Sequence, residues 1–273
     1  MKRLSAHLLS IFCLTGFAVT AQETESDSKR SYNLFNPVPK KEMRDFSIDR
    51  PDVTESPVTV DAGHFQFEGD MFKVIKANQG LSYRAINIVN GLYKMGLSDS
   101  WDIHIGLELY NIYQDPEENT YAKGYGNTTI RLKRNLWGNN GDTKTALGII
   151  PYATFPTSPV DTDIVFGVGF PFSYTLTDSY SAGAQFQFDF IPDENGDHSL
   201  SYLQTVVFGG TLAGNFDFYV EGLGIFSSTV TTYSANGGII YNATDNVKID
   251  IATNLGLVDE APTRLYLGLS FRI

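Results

Sequence analysis

The chain has 273 residues, a formal net charge of −11, 13% aromatic residues and 25 glycines spread through aromatic-rich segments. That acidity argues against nucleic acid as a partner, because phosphate binding needs concentrated Lys and Arg. The only cysteine, Cys13, leaves no internal disulfide and no cysteine-built metal site to consider.

The first residues carry an address. Lys2 and Arg3 precede an apolar stretch from Leu8 to Val19, and Val19-Thr20-Ala21 offers small residues where a signal peptidase reads. A signal peptide over residues 1–21, cleaved before Gln22, is therefore expected, and Cys13 leaves with it. Phe12 is too bulky for a lipoprotein cleavage box. No later run approaches the ~18 apolar residues that a membrane helix needs.

Residues 22–62 are polar, hold Pro37, Pro39, Pro51 and Pro57, and show no sustained period. They read as an extended N-terminal segment. Asp49, Arg50, Asp52 and Glu55 form a compact charged set within it. Two readings stay open. The set is a plug motif, with Arg50 paired to a lumenal carboxylate such as Glu108 or Asp189, or it is a rigid lead-in fixed by Pro51 and Pro57.

From Gly63 onward the pattern alternates with period two. Trp101, Ile103, Ile105, Leu107 and Leu109 share one face of the strand Trp101–Tyr110, opposite Asp102, His104, Gly106, Glu108 and Tyr110. Ala184, Phe186, Phe188 and Phe190 alternate with Gln185, Gln187 and Asp189. Val247, Ile249 and Ile251 alternate with Lys248, Asp250 and Ala252. The chain ends on Leu265, Leu267, Leu269, Phe271 and Ile273 against Arg264, Tyr266, Gly268, Ser270 and Arg272. This last strand is similar to the terminal signal read by the barrel-assembly machinery of the outer membrane, with Ile in place of the usual Phe.

Alternation alone does not separate a soluble sandwich from a membrane barrel. Connection lengths do. Tight links rich in Gly, Asn, Asp and Ser stand at 98–100, 138–142, 177–179, 213–215 and 242–246. Longer polar links stand between them near 77–80, 113–123, 156–162, 191–198, 228–231 and 258–263. Short inner turns and longer outer loops mark outer-membrane barrels. Five short turns and six longer links predict an all-β, antiparallel up-and-down barrel of about twelve strands over residues 63–273. Such a wall must close, because lipid satisfies no backbone hydrogen bonds.

Charges at mid-depth on the lipid face cost ~2–4 kcal/mol for Arg or Lys. Asp102, His104, Glu108, Arg131, Lys133, Asp189, Asp217, Glu221, Lys248, Asp250, Arg264 and Arg272 should therefore face the lumen. They line a solute path or fill the lumen as a structural network. Trp101, Trp137, Tyr152, Phe155, Phe170, Phe172, Tyr174 and Tyr180 are expected to form an interfacial girdle.

Catalytic chemistry has little to stand on. After the leader, His64, His104 and His198 are scattered without metal-ligand spacing, and His198-Ser199 are strand neighbours that face opposite ways. No cofactor or metal is expected.

The stretch Ile48-Asp49-Arg50-Pro51-Asp52-Val53-Thr54-Glu55-Ser56-Pro57-Val58-Thr59-Val60-Asp61-Ala62-Gly63, followed by His64-Phe65-Gln66-Phe67-Glu68, resembles the N-terminal signature of the outer-membrane proteins of the phenol meta-degradation pathway. Echoes follow at Leu97-Ser98-Asp99-Ser100-Trp101, at Gly124-Tyr125-Gly126-Asn127-Thr128-Thr129 and at Pro151-Tyr152-Ala153-Thr154-Phe155-Pro156-Thr157. The resemblance implies a transporter-like outer-membrane barrel, without implying phenol as substrate. Ile48 stands where the family often has Thr. The expected function is passive or facilitated passage of small hydrophobic or amphipathic molecules, with outer-membrane lipid and the assembly machinery as partners and the solute unknown. Two alternatives are a lipid-modifying enzyme and a structural or adhesive barrel.

Overall fold

The structure, a computed structural model, describes residues 31–76, 84–115, 120–158, 163–192 and 198–273. The expected signal peptide and its cleavage site lie outside these residues, as do the start of the 22–62 segment and parts of four long links.

Thirteen strands run in chain order: β1 (Phe65–Lys76), β2 (Arg84–Ser98), β3 (Trp101–Asp115), β4 (Thr120–Gly124), β5 (Thr128–Trp137), β6 (Thr145–Phe155), β7 (Val165–Thr175), β8 (Tyr180–Pro192), β9 (His198–Ala213), β10 (Phe216–Phe226), β11 (Thr231–Thr244), β12 (Val247–Gly256) and β13 (Thr263–Arg272). Neighbours pair antiparallel throughout. β4 and β5 lie end to end against one strand: β4 pairs with Asn111–Asp115 of β3 and β5 with Trp101–Leu107. Tyr125-Gly126-Asn127 is the break between them, and the Gly126 N–H donates to the Glu108 carbonyl across it at 2.8 Å. The two strands thus fill one place, and the wall has twelve positions. β1 pairs with both β2 and β13, with Phe67 opposite Phe271. The sheet is a closed barrel.

The expected alternation sets the two faces. Ile105, Ile251 and Leu267 are 43%, 54% and 44% exposed, whereas their neighbours His104, Asp250 and Tyr266 are 0%, 1% and 6% exposed. Apolar side chains cover the outside and polar ones turn into the lumen, the inverse of a soluble core. Rings on the outer face pack across strands. Phe67 lies against Tyr93 and Phe271 with centroids 5.0 and 5.4 Å apart, over the space left by Gly69 and Gly91. Tyr202 stacks between Phe186 and Phe226.

The short links gather at one end and the long ones at the other. The strands outrun the lengths expected from alternation. β3 continues five residues past Tyr110 to Asp115, and most of the expected 113–123 link is wall. Alternation of oil and charge is required only at membrane depth. Beyond it, backbone pairing continues with polar residues such as Asn111.

Candidate functional site: the filled lumen

Residues 44–62 lie inside the barrel and are bonded to side chains that the wall turns inward. The segment is too short in apolar residues to pack by burial, so polar bonds position it. Near the short-turn end, Arg44 pairs with Asp61 at 2.8 Å, and Arg272 of β13 donates to the Arg44 carbonyl at 2.7 Å. Deeper in, the Asp49 carboxylate takes Lys94 of β2 at 2.6 Å and Lys133 of β5 at 2.9 Å. Burial alone would raise the Asp49 carboxyl, but the ammonium groups of Lys133 and Lys94 outweigh it and hold it well below the usual range.

Arg50 occupies a slot written by strand register. Asp70 of β1, Gly268 of β13 and Asp250 of β12 stand side by side in one row across three strands. Arg50 Nη1 donates to Asp70 at 2.7 Å, and Nε and Nη2 donate to the two oxygens of Asp250 at 2.9 and 2.8 Å. Gly268 makes the slot possible, because a Cβ there would collide with the guanidinium. Burial would lower the Arg50 guanidinium, and the two carboxylates more than reverse this. The structure thus gives Arg50 the carboxylates of Asp70 and Asp250, where the charge pattern had suggested Glu108 or Asp189. Those two acids are engaged elsewhere. Glu108 accepts from Asn111, and Asp189 accepts from Tyr152 and Gln187.

Beyond Pro51 the segment presents its own backbone donors. The N–H groups of Val53 and Thr54 converge on Glu221 of β10 at 3.0 and 2.7 Å. The Thr54 hydroxyl sits against Thr205 of β9, and the Glu55 N–H donates to Gln185 of β8 at 2.8 Å. The Glu55 carboxylate takes Arg131 of β5, Asn135 donates to the Pro57 carbonyl, and the Val60 N–H donates to Asp102 of β3 at 2.7 Å. No strand can satisfy the segment's free backbone groups, so wall acceptors at Glu221, Gln185 and Asp102 take its N–H donors, and Asn135 donates to its Pro57 carbonyl.

The expected lumen set is therefore inward-facing but divided. Asp102, Arg131, Lys133, Glu221, Asp250 and Arg272 bond the segment, and Lys248 lies 5.4 Å over its Phe46 ring. Among the described residues His104 bonds only Asp102, Asp217 accepts from Asn242, and the Arg264 guanidinium reaches only Asn254 at 3.4 Å. Glu68, Asp70, Lys94, Gln185 and Thr205 belong with the contact residues and were missed. In Gln66-Phe67-Glu68-Gly69-Asp70 the alternation was visible, but Gly69 left its outer face without an apolar marker. Trp137, Tyr174 and Tyr180 face outward as expected of a girdle. Tyr152 does not. It lies inward over Gly167 and bonds Asp189, because three register partners in a row, Tyr152, Gly167 and Asp189, leave room for its ring over the glycine.

Asp52 differs from the other acids of the motif. Among the described contacts it accepts no side-chain ion pair, and it faces Glu221. Burial, then the Glu221 charge, pushes its carboxyl well above the usual carboxylate range. It lines two cavities. One, about 370 Å³, lies towards the short turns and is bordered by Ile48, Val58, Val207 and Ile240. The other, about 320 Å³, lies towards the long loops and is bordered by Val53, Leu203, Leu223, Ile225, Arg264 and Tyr266. Arg50 and Asp52 stand where the two meet.

His104 and Asp102 pair at 3.0 Å but are fully buried under the segment. The His64 ring is held between the Val38 and Ile273 carbonyls. Among the described residues no group of three or more His, Cys, Asp or Glu side chains is placed to hold a metal.

Solved structures with a similar fold include an outer membrane channel and porins. An outer membrane channel from Pseudomonas putida F1 aligns over 83% of this chain and all of its own, with 11% identity and a TM-score of 0.57. The NanC porin aligns over 77% of this chain and all of its own, with 10% identity and a TM-score of 0.53. A KdgM porin in complex with disordered oligogalacturonate aligns over 76% and 98%, with 9% identity and a TM-score of 0.51. At these identities the likeness speaks for the barrel fold alone. No curated protein matches the sequence. One family model, described as "Putative MetA-pathway of phenol degradation", matches residues 48–273, from the charged motif in the lumen to the last strand, and the chain belongs to that family.

Proposed function

We propose that the protein is a passive channel for small amphipathic molecules, exported through a leader cleaved before Gln22, with residues 44–62 as a plug held in the lumen. The observation that carries this reading is the pair of cavities on either side of Arg50 and Asp52. Each has an apolar border on the β9–β11 side and a polar border opposite. A twelve-stranded wall encloses more than its own side chains fill, and the segment takes up the remainder. Passage then needs only a local shift of the plug near Asp52, with neither an energy source nor a reacting group.

A lipid-modifying activity is not supported, since the His104–Asp102 pair among the described residues is sealed beneath the segment. The lipid partner is the outer-membrane bilayer against the aromatic outer face, and the terminal strand β13 supplies the signal for the assembly machinery.

The test is single-channel conductance in planar bilayers, comparing the mature chain with forms lacking residues 22–47 and 22–60. The first deletion keeps the Asp49–Glu55 motif and should alter conductance little. The second removes the plug and should raise it severalfold. Equal conductance in all three folded forms would show that the segment does not obstruct the path.

A further inference from the structure

The cavity towards the long loops has a chemistry that the general reading leaves unspecified. Its apolar border is made by Leu203, Leu223 and Ile225, which occupy inward positions of β9 and β10. Facing them is Arg264 of β13. Three described arginines of the wall, Arg131, Arg264 and Arg272, point inward, and two of them have carboxylates: Arg131 pairs with Glu55, and Arg272 with Asp61 at 3.5 Å. Arg264 is without such a carboxylate among the described residues, and its guanidinium reaches only the Asn254 amide at 3.4 Å. Lys73 in the same border is already tied to Asp70 at 2.5 Å.

We propose that this outer cavity is a binding site for a small carboxylate with an apolar body, such as an aromatic acid, anchored by Arg264 and seated against Leu203, Leu223 and Ile225. The proposal rests on the channel reading and names its solute class. A guanidinium presents paired donors that match a carboxylate, and a partly enclosed one gains most from an incoming anion. The cavity volume falls within the ~300–1,000 Å³ common for small-molecule sites. Asp52 borders the same space, and because burial raises its carboxyl above the usual range, it opposes a bound anion less than an unperturbed carboxylate would. The arrangement separates the solute's two halves, with charge towards β13 and the ring towards β9 and β10.

The experiment is a ¹⁹F NMR titration of the folded mature protein in detergent at pH 7, using 4-fluorobenzoate and its neutral counterpart 4-fluorobenzamide. Heat-modifiable migration certifies the fold of every variant. The benzoate should bind more tightly than the benzamide. Arg264→Gln should weaken the benzoate about ten- to a hundredfold, the loss expected when a charge-assisted hydrogen bond is removed, and leave the benzamide unchanged. Arg264→Lys should fall between, and Leu223→Asn should weaken both probes. Equal affinity of the two probes, absence of benzoate binding, or an Arg264→Gln protein that binds benzoate like wild type overturns the site. Conductance of the same preparations is read separately. A protein that conducts without preferring benzoate loses the site and keeps the channel, whereas one that binds benzoate without conducting keeps the site and loses the channel.

Discussion

Replacing Arg50 by Ala tests whether the row Asp70, Gly268, Asp250 holds the plug in place. The Arg50 side chain is 13% exposed and Asp250 is 0% exposed, so little solvent screening discounts the pair. Asp70 keeps Lys73 as a partner at 2.5 Å, which leaves Asp250 as the orphaned charge. Breaking a buried pair by removing one member costs ~3–5 kcal/mol, because the other charge stays buried and unpaired. At about 1.4 kcal/mol per factor of ten, the seat at residues 50–53 weakens by two to three and a half orders of magnitude. The wall should survive, since its ladder hydrogen bonds lie elsewhere, and Asp49 still holds Lys94 and Lys133. Single-channel recording should therefore show a larger or more often open conductance in Arg50→Ala, with heat-modifiable migration retained. Arg50→Ala, Asp250→Asn should recover part of the closed behaviour, because the orphaned charge is gone. A folded Arg50→Ala protein that conducts like wild type would refute the view that this row closes the path.

Three further outcomes follow from the same geometry. Gly268→Ala keeps every charge but fills the guanidinium slot, so it should open the channel as Arg50→Ala does while leaving the barrel folded; conductance checks it. The Asp52 carboxyl is raised in the docked segment, so docking is favoured when the group is neutral and weakens as pH rises above its usual value of 3.8 towards the raised one. Open probability should accordingly increase from acid to neutral pH in wild type, and Asp52→Asn should flatten that slope. Cysteines placed at 105 and 267 should be quenched by lipid-embedded spin labels, and cysteines at 104 and 266 should not; the opposite pattern would invert the register.

The wall was legible because lipid imposes a local rule. Each inward or outward choice at Asp102, His104, Lys248 or Asp250 is written in its two sequence neighbours, and the short-turn residues Asp99 and Asn215 mark where chains reverse. The lumen was legible only as a set. Which acid meets Arg50 depends on the register between β1, β13 and β12, and residues 70 and 250 are brought together by closure of the barrel. No local pattern encodes that. Asp189 and Glu108 were reasonable partners by charge, but Tyr152 and Asn111 occupy them. The same limit explains Tyr152 itself, whose aromatic ring suggested an interface and whose inward position depends on a glycine in the neighbouring strand.

Glycines at inward positions do the opposite of what they do in a turn. Gly268 and Gly167 sit at extended backbone in the middle of the wall, where a side chain would cost less entropy and pack more surface. Their use becomes intelligible only with the occupant in view: Gly268 receives the Arg50 guanidinium and Gly167 the Tyr152 ring. The lumen is therefore shaped as a complement to particular groups, with acidic positions flanking a gap for a cation and apolar positions left bare beside Arg264. A wall that needed only to exclude lipid would carry side chains at all of these sites. The missing side chains at 167 and 268, together with the acceptors at 102, 185 and 221, make the interior specific for one segment and leave the β9–β10 side free for a second, smaller occupant.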